Sequence, residues 1–156
     1  MLETKSMIAK AISLAMVSTA LAIGQPAAAQ VVVDGDTIEL KGTTFRLHGI
    51  DAPELSQVCA DGWPAGRAAR DYLADLIGTK EVACTTRLGE LDRETTAICR
   101  ADGIDLGAAM VTGGYALAFV PYSARYITQE DAATSARRGV HGHKCVAPWE
   151  WRRGHD

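Results

Sequence analysis

A chain of 156 residues, 47% hydrophobic and 22% charged, has the length and composition of one ordinary globular domain. Its formal charge of −3 excludes a protein that grips nucleic acid by bulk positive charge, so any polyanion must be met by local cationic groups. The chain opens with Lys5 and Lys10, a largely apolar run from Ala11 to Ile23, and Ala27-Ala28-Ala29. A basic start, a short apolar stretch and a small-residue cleavage site predict a secretory signal peptide over residues 1–29, with a periplasmic or secreted product. The apolar run is too short to span a bilayer comfortably. Cleavage after Ala29 leaves a 127-residue domain, 30–156, with 14 basic and 18 acidic residues and a formal charge of −4. That length suffices for one core.

Val31 to Val33 can start a strand. Ile38 and Leu40 then alternate with Thr37 and Glu39, and after Lys41-Gly42-Thr43, Phe45 and Leu47 alternate with Arg46 and His48. This is a period-2 hairpin around a glycine-containing turn, with Ile38, Leu40, Phe45 and Leu47 on the core face. Pro53 stops regular pairing. From Ala65 to Ile77 the apolar residues Ala68, Ala69, Tyr72, Leu73, Leu76 and Ile77 follow a helical stripe, stopped by Gly78. Lys80–Thr85 and Thr95–Ala101 read as strands, with a polar, loop-like segment between them. Asp105 caps a helix through Met110 that ends at Gly113-Gly114, Tyr115 to Phe119 is a short strand, and Thr128 caps a last helix through about Arg138. The order is β-β-β-α-β-β-α-β-α. Without regular β-α alternation a doubly wound sheet is ruled out, and the expected fold is α+β: a closed, five-stranded OB-type barrel with packed helices.

Four cysteines, Cys59, Cys84, Cys99 and Cys145, in an exported small domain suggest two disulfides. Three pairings are possible. Cys84–Cys99 is favoured because both lie in neighbouring predicted strands, which leaves Cys59–Cys145. The competing readings are free buried thiols, or a local metal site at His141-Gly-His143-Lys-Cys145.

Asp36 lies where the first hairpin strand begins and Asp51 just past where the second ends, so both carboxylates belong to one rim. Glu54 follows on a loop stiffened by Pro53. Converging carboxylates suit a hard cation such as calcium, and an arginine beside a cation suits a phosphate. Each residue has a plainer reading: Asp34-Gly35-Asp36 as a turn, Asp51 as a loop cap, Arg46 as an exposed cross-strand partner of Glu39, and His48 as a solvated strand residue.

Together, Val33-Asp34-Gly35-Asp36-Thr37-Ile38 and Phe45-Arg46-Leu47-His48-Gly49-Ile50-Asp51-Ala52-Pro53-Glu54 closely resemble the two halves of the staphylococcal nuclease (thermonuclease) signature. The resemblance continues more weakly through Gly114-Tyr-Ala-Leu-Ala, Tyr122…Tyr126 and Arg137-Arg138-Gly139. It implies an OB barrel of that family. Asp36 and Asp51 would bind Ca²⁺ through their side chains and Ala52 through its carbonyl. Glu54 would activate or position the attacking water, and Arg46 would bind the scissile phosphate. The 5′-oxygen would leave, giving 3′-phosphate ends on DNA or RNA, and Tyr122 would pack against a base. Such an enzyme is expected to act on single-stranded nucleic acid as a monomer.

One departure concerns the loop before the Cys99 strand. The family pattern there is Asp-Arg-Tyr-Gly-Arg, the last residue being a second phosphate clamp. This chain has Glu90-Leu91-Asp92-Arg93-Glu94, with a carboxylate at the final position. Arg93 is expected to take the role if the loop shifts, with Arg87 the more distant candidate. The alternatives to a calcium-dependent endonuclease are a weak or inactive OB-type module that holds single-stranded nucleic acid or a nucleotide, and a periplasmic protein-binding domain.

Overall fold

The two-residue turn Lys41-Gly42, with φ of 53° and 80°, sets the hairpin on which the rest is built. Positive φ at both positions is the primed geometry whose twist matches that of paired strands. It joins β2 (Thr37–Leu40) to β3 (Thr43–Leu47) and fixes the register Ile38↔Phe45 and Thr37↔Arg46. Arg46 therefore lies opposite Thr37, and Glu39 faces Thr44, which removes the plainer reading of Arg46 as a cross-strand partner of Glu39. The computed structural model describes residues 30–86 and 95–154. The expected signal peptide and the residues Arg87, Arg93 and Glu94 lie outside the described residues.

β1 (Gln30–Val32) pairs antiparallel with β2. On the other side β3 runs parallel to β6 (Thr95–Ala101), which pairs antiparallel with both β5 (Val82–Thr86) and β7 (Ile104–Asp105). The result is a mixed sheet of order β1-β2-β3-β6-β5, with β7 on β6. β4 (Ile50–Asp51) and β8 (Leu117–Ala118) form a separate two-stranded sheet. The expected closed barrel is thus replaced, among the described residues, by an open mixed sheet and a short ribbon. At two residues each, β4 and β8 are too short to carry a ladder around to the larger sheet.

Among the described residues four α-helices complete this α+β fold: α1 (Ala65–Ile77), α2 (Leu106–Gly113), α3 (Ile127–Ser135) and α4 (Pro148–Arg153), with a 3₁₀ turn at Gly139–His141. On α1 the buried residues Ala65, Ala69, Leu73 and Ile77 recur every fourth position and face the core with Ile38, Leu47, Leu106, Met110 and Val111. Asp105 caps α2 by accepting from the Ala108 N–H at 3.1 Å, and Gly114 closes it in the left-handed region. α3 departs from expectation: Tyr126, and not Thr128, stands at its N-cap, and it ends at Ser135, before Arg137 turns to φ 52°.

Both expected disulfides are present, Cys84–Cys99 across paired strands and Cys59–Cys145 across 86 positions. Cys145 is therefore no metal ligand, and His143 instead stacks on Trp63 at 4.3 Å and meets Asp61 at 3.0 Å. Among the described residues no helix is long and apolar enough to cross a membrane.

Candidate active site

The hairpin and the turn after it bring three elements to one rim. Asp36 ends a tight turn in which its N–H donates to Asp34 Oδ1 at 3.0 Å, and its own carbonyl accepts from the Leu47 N–H at 2.7 Å. These bonds lock the start of β2 to the end of β3. β4 then sets Asp51 beside it. Asp36 and Asp51 are 4% and 2% exposed, so both carboxylates have given up most of their water and need partners.

Arg46 is the first partner. Its Nη2 donates to Asp36 Oδ2 at 3.2 Å and to Asp51 Oδ1 at 3.3 Å, so the two carboxylates converge on one positively charged nitrogen. Asp36 Oδ2 also accepts from the Ala52 N–H at 3.0 Å, and Oδ1 from Thr37 Oγ1 at 3.1 Å. Burial nevertheless pushes the Asp36 carboxyl up to about 7: loss of water outweighs the opposing pull of Arg46, and the nearby Asp34 and Asp51 charges add to the rise.

The second partner is Arg152, on α4. Its Nη2 donates to Asp51 Oδ2 at 2.7 Å, and its Nη1 to Asp51 Oδ1 at 3.2 Å and to Glu54 Oε1 at 2.6 Å. The hydrogen bonds to Asp51, and then the one to Glu54, hold this guanidinium more firmly protonated than usual. Arg46 and Arg152 side chains are each 37% exposed, so both also face solvent.

The loop that carries Glu54 is braced from two sides. Gly66, in the first turn of α1, lies against the Glu54 carbonyl so closely that a Cβ there would overlap the oxygen. Gln57, 1% exposed, accepts from the Glu54 N–H at 3.2 Å and donates to the Val146 carbonyl at 2.9 Å. The Ala60 N–H donates to the Lys144 carbonyl at 2.9 Å, and the Cys59–Cys145 disulfide lies between these bonds. The active loop and the C-terminal segment are thus joined at several points.

The structure therefore gathers Asp36, Arg46, Asp51 and Ala52 by direct contact, and Glu54 joins them through Arg152. Tyr122 is 40% exposed, with its ring 5.6 Å from His48 and 6.5 Å from Phe119; Phe119 in turn lies 5.7 Å from Trp149 of α4. His48, expected to be solvated, is 2% exposed, because β3 ends at Leu47 and the chain turns at Gly49 (φ 76°). Arg152, Gln57 and Gly66 were not foreseen. The signal for Arg152 was the expected Cys59–Cys145 pairing, which brings the Pro148-Trp-Glu-Trp-Arg-Arg stretch next to the Glu54 loop. Proline at the first helical position marks its start.

Chemically, two guanidiniums over three carboxylates can exchange partners with a cation and an anion. Asp36 and Asp51 supply hard oxygens to the first, and the arginines supply forked donors to the second. Among the described residues no three His, Cys, Asp or Glu side chains converge on a metal position, so water or ligand oxygens must complete any such site. A search of curated proteins finds the succinoglycan biosynthesis protein ExoI of Rhizobium meliloti (strain 1021), 33% identical over 92 residues, which cover 55% of this chain and 48% of that protein. The chain thus spans about half the length of that relative. Residues 44–141, which contain Arg46, Asp51, Ala52, Glu54 and Tyr122, match the staphylococcal nuclease homologue family, and the chain belongs to that family.

Proposed function

We propose that this protein is an exported, calcium-dependent nuclease that hydrolyses phosphodiester bonds of single-stranded DNA or RNA. The observation that carries the reading is the convergence of Asp36 and Asp51 on the single nitrogen Arg46 Nη2, with Glu54 on the adjoining loop. A charged nitrogen held by two buried carboxylate oxygens marks a place where a cation is stabilised. All donors are hard oxygens, which fits calcium. Asp36 and Asp51 would hold the ion by their side chains and Ala52 by its carbonyl, with water and a substrate phosphate filling the remaining positions. When bound, the ion supplies Lewis-acid polarisation of the phosphoryl oxygen.

The protein's own groups do the rest. Glu54 accepts a proton from the attacking water at Oε1 or Oε2, or orients that water. Arg46 turns its fork to the phosphate oxygens, where charge builds. Tyr122, 40% exposed beside the rings of His48 and Phe119, offers a ring to a base. The two disulfides support a periplasmic or secreted location after removal of residues 1–29. On this reading the domain acts as a monomer.

The test is cleavage of single-stranded DNA by the protein with Ca²⁺ and with EDTA. Chelation abolishes cleavage, and Arg46→Ala and Glu54→Gln each lower kcat by roughly 10²–10³ or more. Unchanged rates in both variants overturn the assignment. Glu94, at the position of the family's second arginine, favours a second reading: a binding module with little turnover. Glu94→Arg separates the two, since a large gain in rate shows that the wild-type loop limits catalysis.

A further inference from the structure

The charge around the site motivates a role for a residue outside the matched family segment. Asp36, Asp51 and Glu54 present three carboxylates, and a phosphodiester adds one negative charge that grows as water attacks. Arg46 alone leaves the anionic groups in excess even beside a divalent cation. Arg152 is the other guanidinium in contact with these carboxylates among the described residues. It comes from α4, beyond residue 141, where the family match ends.

Its geometry suits an anion. The guanidinium spans Asp51 and Glu54, so it stands between the carboxylate assigned to the cation and the one assigned to the attacking water. A phosphate attacked by that water must pass through the same space. Three of the five N–H donors of an arginine are used by Asp51 and Glu54, and the others belong to a side chain 37% exposed. Its position is prepared before any ligand arrives. The Cys59–Cys145 disulfide, Gln57 and the Ala60–Lys144 bond staple the segment before α4 to the Glu54 loop, and Trp149 rests on Phe119.

We propose that Arg152 is the second phosphate-binding arginine of this site, delivered by the C-terminal helix; the proposal rests on the nuclease reading above. Arg152 rests on Asp51 and Glu54. With Asp51 engaged as a cation ligand, the guanidinium would keep Glu54 and direct its other donors to the phosphate. The role left open by Glu94 is then filled from α4, without displacement of the loop that carries Arg93.

The experiment compares Arg152→Ala, Arg152→Lys and Arg93→Ala in full-length protein, with melting temperatures confirming that each is folded. Three quantities are read: kcat on single-stranded DNA, Ca²⁺ affinity, and affinity for the dinucleotide d(TpT) in a Glu54→Gln background. Arg152→Ala is expected to lower kcat by about 10²–10³ and to weaken d(TpT) binding about tenfold or more. Arg152→Lys, a point charge without the planar fork, recovers only part of the rate and keeps the variant pair informative if the alanine form misfolds. Arg152→Ala with wild-type or higher kcat and tighter Ca²⁺ binding overturns the proposal, because Arg152 would then only compete for Asp51. Arg152→Lys at full rate, or loss of rate confined to Arg93→Ala, overturns it as well. If the wild-type protein neither cleaves nor binds nucleic acid, the nuclease reading fails and takes this proposal with it. If the wild type cleaves and only the Arg152 variants are silent in effect, the nuclease reading stands and this proposal alone falls.

Discussion

Asp36 is the residue whose environment is most at odds with its charge. It is 4% exposed, and burial raises its carboxyl from 3.8 to about 7 despite Arg46 at 3.2 Å. Between those two values the folded protein keeps a proton that the unfolded chain has lost. Stability from this group is therefore complete below about 3.8 and is lost as pH rises through about 7. In calcium-depleted buffer, Asp36→Asn removes that slope. The variant is expected to match the wild type near pH 4 and to exceed it at pH 8 by on the order of 1–3 kcal/mol, read from chemical denaturation. A less stable variant at pH 8 would show that the Arg46 pair outweighs the loss of water. At this scale the sequence was informative where spacing alone sufficed. Asp36, Arg46, Asp51 and Glu54 lie on a hairpin and its exit loop, so local pairing brings them together. His48 was misplaced, because its burial depends on where β3 stops and on Tyr122, 74 positions away.

Among the elements, α1 was legible to its ends, Ala65 and Ile77, because a four-residue apolar recurrence and a terminal glycine are local signals. α4 is six residues long, too short for any periodicity to register, although it delivers Arg152. β8 falls inside the short strand expected at Tyr115 to Phe119, but its two-residue partner β4 escaped for the same reason as α4, and the pairing that decides between an open and a closed sheet is not local at all. One contact makes α1 more than core filling. Gly66 seats the first helical turn directly against the Glu54 carbonyl, and the Gly66 N–H donates to the Gln57 carbonyl at 3.1 Å. Gly66→Ala forces the helix and the Glu54 loop apart. Although alanine favours helix, the overlap is expected to cost about 1–3 kcal/mol of stability, with a fall in kcat larger than any change in KM. Thermal melts and steady-state kinetics check this together. Wild-type values in both would mean that the loop yields without moving Glu54.

Over the whole molecule the two disulfides divide the work unequally. Cys84–Cys99 closes 15 positions across a strand pair that the sheet already holds. Cys59–Cys145 closes 86 positions and ties the active loop to the segment that carries α4, which has no strand of its own to join. Chain entropy assigns roughly 3 kcal/mol to the shorter closure and about 4–5 to the longer. Either is a large share of the ~5–15 kcal/mol that stabilises a domain of this size. Cys59→Ala with Cys145→Ala is therefore expected to lower the denaturation midpoint more than Cys84→Ala with Cys99→Ala. The first pair has a second effect that the entropy argument alone does not contain. Freed at residue 145, α4 is still tied by Gln57, the Ala60–Lys144 bond and the Phe119–Trp149 contact, but it loses the covalent anchor that holds Arg152 over Asp51 and Glu54. Below the unfolding transition, hydrogen exchange at residues 146–153 should rise sharply in the Cys59/Cys145 variant and stay near wild type in the Cys84/Cys99 variant. Equal protection in both would show that side-chain packing, and not the disulfide, positions the helix.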